Sequence, residues 1–329
     1  MKLCVLGAGT WGTALAITLC QNHEVFLWTR DPLEARTLSI NRQHPHLDKA
    51  KLPDELLITS DMKEAVGGAK AVFLAVPSVA VREVSALAAP YLKEGAVLVC
   101  AAKGLEPGSL FPMSSVIKET TSDKYPVVAF SGPTHAEEVA KQQPSLIVAA
   151  SKNTEAAELV QQLFLSTAVR PYTSEDVIGV ELCGALKNII ALSCGIATGL
   201  GYGDNTRAAL ITRGMAEITR LGREMGADER TFFGLAGIGD LIVTATSSLS
   251  RNNQAGKLIG QGLSPKEAID KVGMVVEGIN ALAPAVKLAQ EHGVDTPIMN
   301  AAYAIIYNGE KPLEAVEALL SREMKAEDL

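Results

Sequence analysis

The sequence has few of the residues that build metal centres or disulfide frameworks. Only five of its 329 residues are cysteines (Cys4, Cys20, Cys100, Cys183 and Cys194), and no two of them form a CxxC pair. No group of histidines and cysteines has the spacing of metal ligands. An odd number of scattered cysteines, most of them in apolar runs, predicts buried thiols in a reducing compartment and no metal site.

The sequence also lacks the marks of several functional classes. No uninterrupted apolar stretch approaches the roughly 18 residues of a membrane span, and no cleavable signal segment precedes the first apolar run. The net charge of −7 is opposite in sign to the basic footprint of nucleic-acid-binding proteins. Neither a GxSxG elbow nor a GxxxxGK[ST] loop is present. These absences predict a cytoplasmic protein with no membrane span and no nucleic-acid partner.

What the sequence does contain is the pattern of an α/β protein. Short apolar runs are bounded by polar turns, and helical patterns separate most of them. Such runs suit strands buried on both faces of a parallel sheet, and their alternation with helices predicts a doubly wound, Rossmann-type fold. The predicted strands are Leu3–Leu6, Glu24–Trp28, Leu56–Thr59, Ala71–Val76, Val97–Ala101, Val127–Phe130, Leu146–Ala150 and Val169–Tyr172.

A different pattern begins near Ser174, where the strand-like runs end. Long helical periodicities follow over residues 175–198, 206–225, 251–261, 277–292, 297–307 and 312–324. The chain is long enough for two domains. We therefore expect a sheet domain over residues 1–173 and an all-helical domain over residues 174–329.

The first predicted strand ends in a glycine-rich turn, GAGTWG at residues 7–12, and a small-residue helical pattern follows it. In a dinucleotide-binding fold Gly7 makes the tight turn, Gly9 lets the backbone approach a pyrophosphate, and Gly12 lets the helix pack closely on the strand. The free N–H groups of the helix then face the phosphates. A purely structural turn is the alternative, but the position between strand and helix favours a bound dinucleotide.

The end of the second predicted strand bears on which dinucleotide binds. An acidic residue there binds the ribose hydroxyls of NAD, whereas an arginine accommodates the 2′-phosphate of NADP. Arg30 favours NADP as the cofactor, whereas Asp31 beside it leaves NAD as the alternative. A solvated loop cation is the alternative for Arg30.

Two loops that follow predicted strands carry polar residues toward the edge where ligands of doubly wound sheets bind. Lys103 is an isolated cation just past a buried strand, and a solvated loop lysine is its alternative. Thr134 and Glu137 have the spacing of a capping box, which predicts a helix start and leaves Thr134 as either a cap or a polar ligand. We expect His135 to be a surface residue and not an acid–base group.

Lys187 gives the sharpest signal for chemistry, because it is the only cation between Arg170 and Arg207. Its helical neighbours are all apolar: Val180, Cys183, Ile190, Ala191 and Cys194. A lysine on an apolar face loses hydration, which lowers its pKa toward the range of a general acid–base catalyst. A snorkelling lysine is the alternative. Asn188 follows and is placed to bind a substrate oxygen.

Two further segments carry polar groups in apolar or glycine-rich surroundings. Asp240 either orients a substrate hydroxyl, holds Lys187 in place or caps a helix. Ser250, Arg251 and Asn252 stand at a predicted helix start, where a hydroxyl, a planar guanidinium, an amide and free N–H groups suit a phosphate monoester. A plain N-cap followed by a surface arginine is the alternative.

Together these segments resemble the bacterial NAD(P)-dependent sn-glycerol-3-phosphate dehydrogenases. The matching motifs are GAGTWGTALA at 7–16, KGLE at 103–106, SGPT at 131–134, GALKN at 184–188, ALITRG at 209–214, GDL at 239–241, SRN at 250–252 and VVEG at 275–278. Several separated motifs in one order are more specific than a glycine loop. Two departures exist: Asn253 stands where many relatives have arginine, and His46 stands at an aromatic position.

The resemblance implies roles for individual residues. Lys187 matches the proton-transfer lysine, and Lys103 and Asp240 complete the expected catalytic set. The expected substrate contacts are Lys103, Gly132, Thr134, Lys187, Asn188, Asp240, Thr244, Ser250, Arg251 and Asn252. The expected cofactor contacts are Gly7, Gly9, Thr10, Trp11, Gly12, Arg30, Lys103, Ala136, Arg251, Val275 and Glu277.

The implied reaction is the reversible reduction of dihydroxyacetone phosphate to sn-glycerol 3-phosphate by NADPH or NADH, without a metal. Its product feeds glycerophospholipid synthesis, and the family implies a homodimer. The sheet domain is then the NAD(P)-binding domain and the helical domain binds the phosphorylated substrate. Two alternatives stay open: another two-domain reductase, acting on a 3-hydroxyacid or a 2-ketoacid, and a non-catalytic dinucleotide sensor.

Overall fold

The computed structural model describes residues 1–47, 50–323 and 326–327. Its internal contacts divide the chain into two compact units. The first consists of Met1–Lys103 and Phe111–Val180, and the second of Gly104–Leu110 and Glu181–Leu329. An eight-stranded sheet builds the first unit, and helices build the described part of the second.

The strands of the first unit confirm the predicted runs, with ends that differ by at most two residues. They are β1 (Lys2–Leu6), β2 (Glu24–Trp28), β3 (Leu57–Thr59), β4 (Ala71–Leu74), β5 (Val97–Cys100), β6 (Val127–Ser131), β7 (Ser145–Ala150) and β8 (Val169–Ser174). Their order in the sheet is β3-β2-β1-β4-β5-β6-β7-β8. The order changes direction between β1 and β4, and such a switch point leaves a crevice at the carboxyl ends of the strands.

Two strands depart from the predicted parallel sheet. β7 pairs antiparallel with β6, with Phe130 opposite Ala149, and β8 is parallel to β7, so both run opposite to the other six strands. The helix between β6 and β7 is α6 (Ala136–Ala140), with only five residues. It rises about 7.5 Å, which is too short to carry the chain back along a strand of roughly 17 Å. The chain therefore enters β7 near the edge at which it left β6.

Helices cover both faces of the sheet. Besides α6 they are α1 (Thr10–Leu19), α2 (Pro32–Asn41), α3 (Met62–Val66), α4 (Val81–Ala88), α5 (Met113–Thr120) and α7 (Thr154–Leu163). Successive side chains of a strand point to opposite faces. Leu3 and Val5 thus lie in one core cluster with residues of α1 and α7, and Cys4 and Leu6 lie in another with residues of α4 and α5. The Rossmann-type fold class is confirmed.

The second unit confirms five of the six predicted helical periodicities. Its helices are α8 (Val177–Gly199, which begins in the first unit), α9 (Asp204–Glu224), α10 (Glu229–Phe232), α11 (Asp240–Thr246), α12 (Arg251–Gly260), α13 (Pro265–Val272), α14 (Glu277–Glu291), α15 (Pro297–Tyr307) and α16 (Pro312–Leu320). The sixth periodicity, 312–324, begins as predicted, but its helix ends at Leu320, and residue 324 lies outside the described residues. Helices α10, α11 and α13 were not predicted, because they are too short for a clear period. By length and composition α8 passes as a membrane span, but 83% of its apolar window is buried inside the protein, as in the core helix of a globular domain.

Glycines bring α8 and α12 into backbone contact. A Cβ on Gly195 would lie 2.2 Å from the carbonyl oxygen of Asn253, and one on Gly256 would lie 2.1 Å from that of Leu192. Any larger residue would push the helices apart. This close approach places the start of α12 beside the middle of α8, where Lys187 and Asn188 lie.

Candidate active site

The turn after β1 has the geometry of a phosphate-binding loop. Gly7 has a φ of +111°, and a Cβ there would lie 2.8 Å from the carbonyl oxygen of Ala75, at the end of β4. A Cβ on Gly12 would lie 1.9 Å from the carbonyl oxygen of Gly7, so the fold itself requires both glycines. A Cβ on Gly9, in contrast, would meet no atom of the described residues within 4 Å. The backbone at Gly9 therefore faces an open cradle at the switch point of the sheet.

Unused donors surround this cradle. The first hydrogen bond of α1 runs from the backbone N of Thr13 to the carbonyl oxygen of Gly9, at 2.9 Å. The N–H groups of Thr10, Trp11 and Gly12 precede that bond and have no acceptor within the helix. In addition, Nε1 of Trp11 is buried without a hydrogen-bond partner among the described residues. Donors at a helix start fit the pyrophosphate of a dinucleotide.

The end of β2 separates the two candidate ribose ligands. Asp31 is the N-cap of α2, and its Oδ1 accepts a hydrogen bond from the backbone N of Leu33 at 2.8 Å. Arg30 is 79% exposed, and its guanidinium lies 4.0 Å from the carboxylate of Glu83. The Asp31 carboxylate, the candidate ligand for the ribose of NAD, thus caps α2, whereas the guanidinium of Arg30 extends into solvent.

Lys103 and Thr134 meet at one backbone carbonyl. Lys103 follows β5 and Gly132 follows the neighbouring β6, and the Gly132 oxygen accepts from Lys103 Nζ and from Thr134 Oγ1, each at 3.1 Å. The predicted capping box is wrong, since α6 begins at Ala136 with His135 as an N-cap that has no side-chain cap bond. The threonine hydroxyl bonds instead to the carbonyl two residues before it, a local contact that competes with capping.

The second unit contains a buried ion pair. Nζ of Lys187 donates to Oδ1 of Asp240 at 2.5 Å and to Oγ1 of Thr244 at 2.7 Å. Thr244 follows Asp240 by one helical turn of α11, so both side chains face α8. Lys187, Asp240 and Thr244 are 5%, 1% and 6% exposed. Of the alternatives for Asp240, the structure shows contact with Lys187.

This contact gives Lys187 a different electrostatic environment from the one that its apolar helix face predicts. Its neighbours on α8 are buried and apolar, as predicted from their spacing. The facing helix nevertheless supplies a carboxylate, which stabilises the ammonium that burial alone would destabilise. The sequence showed the apolar face of α8 but not the charged partner 53 residues further along the chain.

Asn188, the residue after Lys187 in α8, belongs to a pair of buried amides. Nδ2 of Asn252 donates to Oδ1 of Asn188 at 2.9 Å, and Oδ1 of Asn252 accepts from the backbone N of Gly278 at 2.8 Å. These bonds connect α8, α12 and the start of α14. Asn188 and Asn252 were each predicted as site residues, but their pairing is not visible in the sequence, because 64 residues separate them.

Ser250 and Arg251 open α12. Ser250 is the N-cap, and its Oγ accepts from the backbone N of Asn253 at 3.3 Å, so the predicted helix start is confirmed. Arg251 is the first residue of the helix and is half-buried. Asn253 donates its amide to the carbonyl oxygen of Ala245 at 2.8 Å and fixes α12 to the end of α11.

The remaining expected contacts lie at helix starts. Ala136 is the first residue of α6, and Glu277 is the first residue of α14. Val275, two residues before Glu277, is 40% exposed. No group of three or more histidine, cysteine, aspartate or glutamate side chains in the described part of the chain is placed to hold a metal ion.

Each unit therefore provides a different set of functional groups. The first offers backbone donors for a dinucleotide and a lysine at the carboxyl edge of the sheet. The second offers a buried ammonium, which can give or take a proton, beside a helix start suited to a phosphate.

Comparison with known proteins identifies the family. The family model for the NAD-dependent glycerol-3-phosphate dehydrogenase N-terminus matches residues 2–157, and the model for the C-terminus of the same family matches residues 176–317. A glycerol-3-phosphate dehydrogenase [NAD(P)+] of Thermoanaerobacter sp. (strain X514) is 50% identical over 328 residues, 99% of each chain. One from Bacillus subtilis (strain 168) is 47% identical over 325 residues, 98% of this chain and 94% of the relative.

Solved structures agree with this result. The crystal structure of glycerol-3-phosphate dehydrogenase from Coxiella burnetii superposes with a TM-score of 0.94 at 34% identity, covering 98% of this chain and 99% of that one. A ketopantoate reductase from Ralstonia eutropha has a TM-score of 0.64 at 17% identity, covers 96% of this chain and shows the shared fold alone. The chain belongs to the NAD-dependent glycerol-3-phosphate dehydrogenase family.

Proposed function

We propose that Lys187 transfers the proton in the reaction of this enzyme. The chain is an NAD(P)-dependent glycerol-3-phosphate dehydrogenase, which reduces dihydroxyacetone phosphate reversibly to sn-glycerol 3-phosphate. The buried contact between Lys187 and Asp240 carries the proposal. Burying two charges is costly for stability, and perturbed ionisable groups of this kind cluster at functional sites.

A bound reduced nicotinamide supplies the hydride that reaches the carbonyl carbon of the substrate. As the hydride arrives, Lys187 donates a proton from Nζ to the carbonyl oxygen, so the ketone becomes a secondary alcohol. In the oxidative direction Nζ takes that hydroxyl proton back. Asp240 stabilises the ammonium before the transfer, and Thr244 fixes Nζ from a second side.

The start of α12 is proposed to bind the phosphate of the substrate. The guanidinium of Arg251 and the hydroxyl of Ser250 stand at the positive end of a ten-residue helix, beside the amide of Asn252. Binding a phosphate far from the reacting carbon positions the carbonyl for reaction. We further propose that Asn188, Lys103, Gly132 and Thr134 contact the substrate.

The loop at residues 7–12 is proposed to bind the cofactor pyrophosphate, and Arg30 is proposed to bind the 2′-phosphate of NADP. The proposed further contacts are Lys103, Ala136, Arg251, Val275 and Glu277. Residues 1–173 would then be the NAD(P)-binding domain and residues 174–329 the substrate-binding domain. Chemistry requires both parts during turnover, because hydride and proton reach the two ends of one carbonyl bond.

The test is the oxidation of NADPH and of NADH by the purified protein with dihydroxyacetone phosphate. A carboxylated ketone, ketopantoate, is the control. We expect oxidation with the phosphorylated substrate and background rates with the control. No oxidation with either cofactor would contradict the proposal.

We also propose a homodimer, which light scattering tests by mass, and a cytoplasmic location, which fractionation tests.

A further inference from the structure

His44 lies against the glycine loop and has no part in the roles proposed so far. The ring is 4% exposed, and its Nε2 lies 3.0 Å from the carbonyl oxygen of Ala8, the residue between Gly7 and Gly9. On the other side of the ring, Nδ1 lies 3.1 Å from the backbone N of His46. A histidine 36 residues away thus contacts the middle of the phosphate-binding loop.

These two partners determine the tautomer of the ring. A carbonyl oxygen only accepts a hydrogen bond, and a backbone N–H only donates one. Nε2 of His44 therefore carries the proton and donates to Ala8, while Nδ1 accepts from His46. Burial lowers the pKa of His44 below its ordinary value, which is consistent with this neutral form.

The described residues on both sides of His44 are held in place. The backbone N of Leu52 donates to the carbonyl oxygen of Arg42 at 2.9 Å. Leu47 and Leu52 are buried in the same core cluster as Ala8. The ring consequently approaches the loop from a fixed support.

The contact with Ala8 also fixes the direction of the next N–H group. The Ala8 oxygen accepts from His44 and from Thr13 Oγ1, the latter at 3.2 Å. In a trans peptide the C=O and the following N–H point in opposite directions. The N–H of Gly9 therefore points away from these two side chains.

We propose that His44 is a positioning residue for the cofactor: by holding the Ala8 carbonyl it aims the N–H of Gly9 at the pyrophosphate of the dinucleotide. This inference rests on the proposed function of the loop at residues 7–12. A donor that is oriented beforehand loses less conformational freedom on binding than one on a free loop. Removing the ring contact should weaken cofactor binding and leave the affinity for substrate unchanged.

The test is titration of the full-length protein with NADPH and with NADH, followed by fluorescence. The variant His44→Phe keeps a ring but has no donor, and we expect its Kd for both cofactors to rise about five- to tenfold, the effect of one lost hydrogen bond. At saturating cofactor, the KM for dihydroxyacetone phosphate should stay within about twofold, since none of the proposed substrate contacts is changed. The variant His44→Gln restores an N–H donor and should recover most of the affinity.

His23 provides a matched control in the same unit. Its Nε2 lies 2.9 Å from the carbonyl oxygen of Leu163, so His23→Phe loses a similar contact away from the loop. Both Phe variants should lower the melting temperature, but only His44→Phe should raise the Kd. Thr13→Val removes the second donor to the Ala8 oxygen and replaces His44→Phe if that variant fails to fold. We expect its Kd for both cofactors to rise as well.

Three outcomes would overturn the inference. An unchanged Kd in His44→Phe, or in Thr13→Val where that variant replaces it, would show that the loop needs no such support. An equal rise in His23→Phe would show a general loss of stability. Failure of the wild-type protein to bind either cofactor would overturn the proposed function as well, whereas binding with an unchanged Kd in the variant overturns this inference alone.

Discussion

Nζ of Lys187 lies 2.5 Å from Oδ1 of Asp240, and neither side chain is more than 6% exposed. α8 carries the ammonium and α11 carries the carboxylate, so the pair depends on the packing of two helices. A buried ion pair contributes little to stability on balance, because both charges lose hydration. Its presence beside Asn188 and Thr244 therefore fits a chemical role better than a structural one.

Asp240→Asn keeps the size of the side chain and removes its charge. We expect kcat to fall by on the order of 10²-fold, because Nζ loses the carboxylate that holds it in place and stabilises its protonated form. The KM for dihydroxyacetone phosphate should change far less. Thr244→Val, which removes only the neutral partner, should lower kcat by about tenfold. Steady-state kinetics check both, and near-normal turnover of Asp240→Asn would contradict the role of the pair.

Arg251→Ala removes the guanidinium at the start of α12. We expect the KM for dihydroxyacetone phosphate to rise by about 10²-fold, since a charge-assisted bond to phosphate is worth roughly 1.5–3 kcal/mol. Lys257→Ala is the control, because it removes an exposed cation from the same helix. If both variants had the wild-type KM, Arg251 would lie outside the phosphate site.

Arg30→Ala tests the selectivity between cofactors. Its exposed guanidinium stands at the end of β2, where a 2′-phosphate would lie. We expect the Kd for NADPH to rise about tenfold and that for NADH to stay within about twofold, since only NADPH carries the additional phosphate. Arg36→Ala, on the exposed side of α2, is the control. Equal losses of both cofactors in Arg30→Ala would mean that Arg30 does not distinguish them.

Glu217 predicts a pH dependence of stability away from the candidate site. Its carboxylate is 1% exposed and accepts from the backbone N of Ile298 at 2.7 Å and of Met299 at 3.2 Å, at the start of α15. Burial nevertheless raises its pKa from 4.5 to about 7. The folded state thus prefers the protonated form, so this contribution to stability is complete below pH 4.5 and is lost as the pH rises through about 7.

The melting temperature should therefore fall between pH 5.5 and pH 8.5, by an amount that reflects about 2 kcal/mol from this group. Glu217→Gln does not titrate, and its melting temperature should depend less on pH, whatever its offset at any one pH. Calorimetry at a series of pH values measures the slopes. Identical slopes for the two proteins would contradict the raised pKa.

The sequence predicted those parts of the fold that depend on local pattern. Apolar runs predicted strands such as Glu24–Trp28, and helical periodicity predicted long helices such as α14. The antiparallel β7 was missed because strand direction depends on how far α6 carries the chain, not on the composition of β7. Thr134 was assigned to a capping box because spacing alone does not reveal that its hydroxyl binds Gly132 instead.

In the candidate site, too, local patterns were visible in the sequence and tertiary contacts were not. Lys187 and the start of α12 were visible as isolated polar groups in local context. The partners of those groups were not, because Asp240 and Asn252 reach α8 only through tertiary packing, at separations of 53 and 64 residues. Thr244 had a local signal, since it follows Asp240 by one helical turn. His44 had none, because its contact with Ala8 depends on the loop between α2 and β3.

Proton transfer by Lys187 is tested most directly by the turnover of Lys187→Ala, measured together with its affinity for NADPH. We expect a kcat lower by on the order of 10² or more, because a general acid is lost, with a Kd for NADPH within about twofold of wild type. Added primary amines should restore part of the rate by supplying a proton donor. Near-normal turnover in this variant, with cofactor bound, would contradict the assignment of Lys187 as the group that moves the proton.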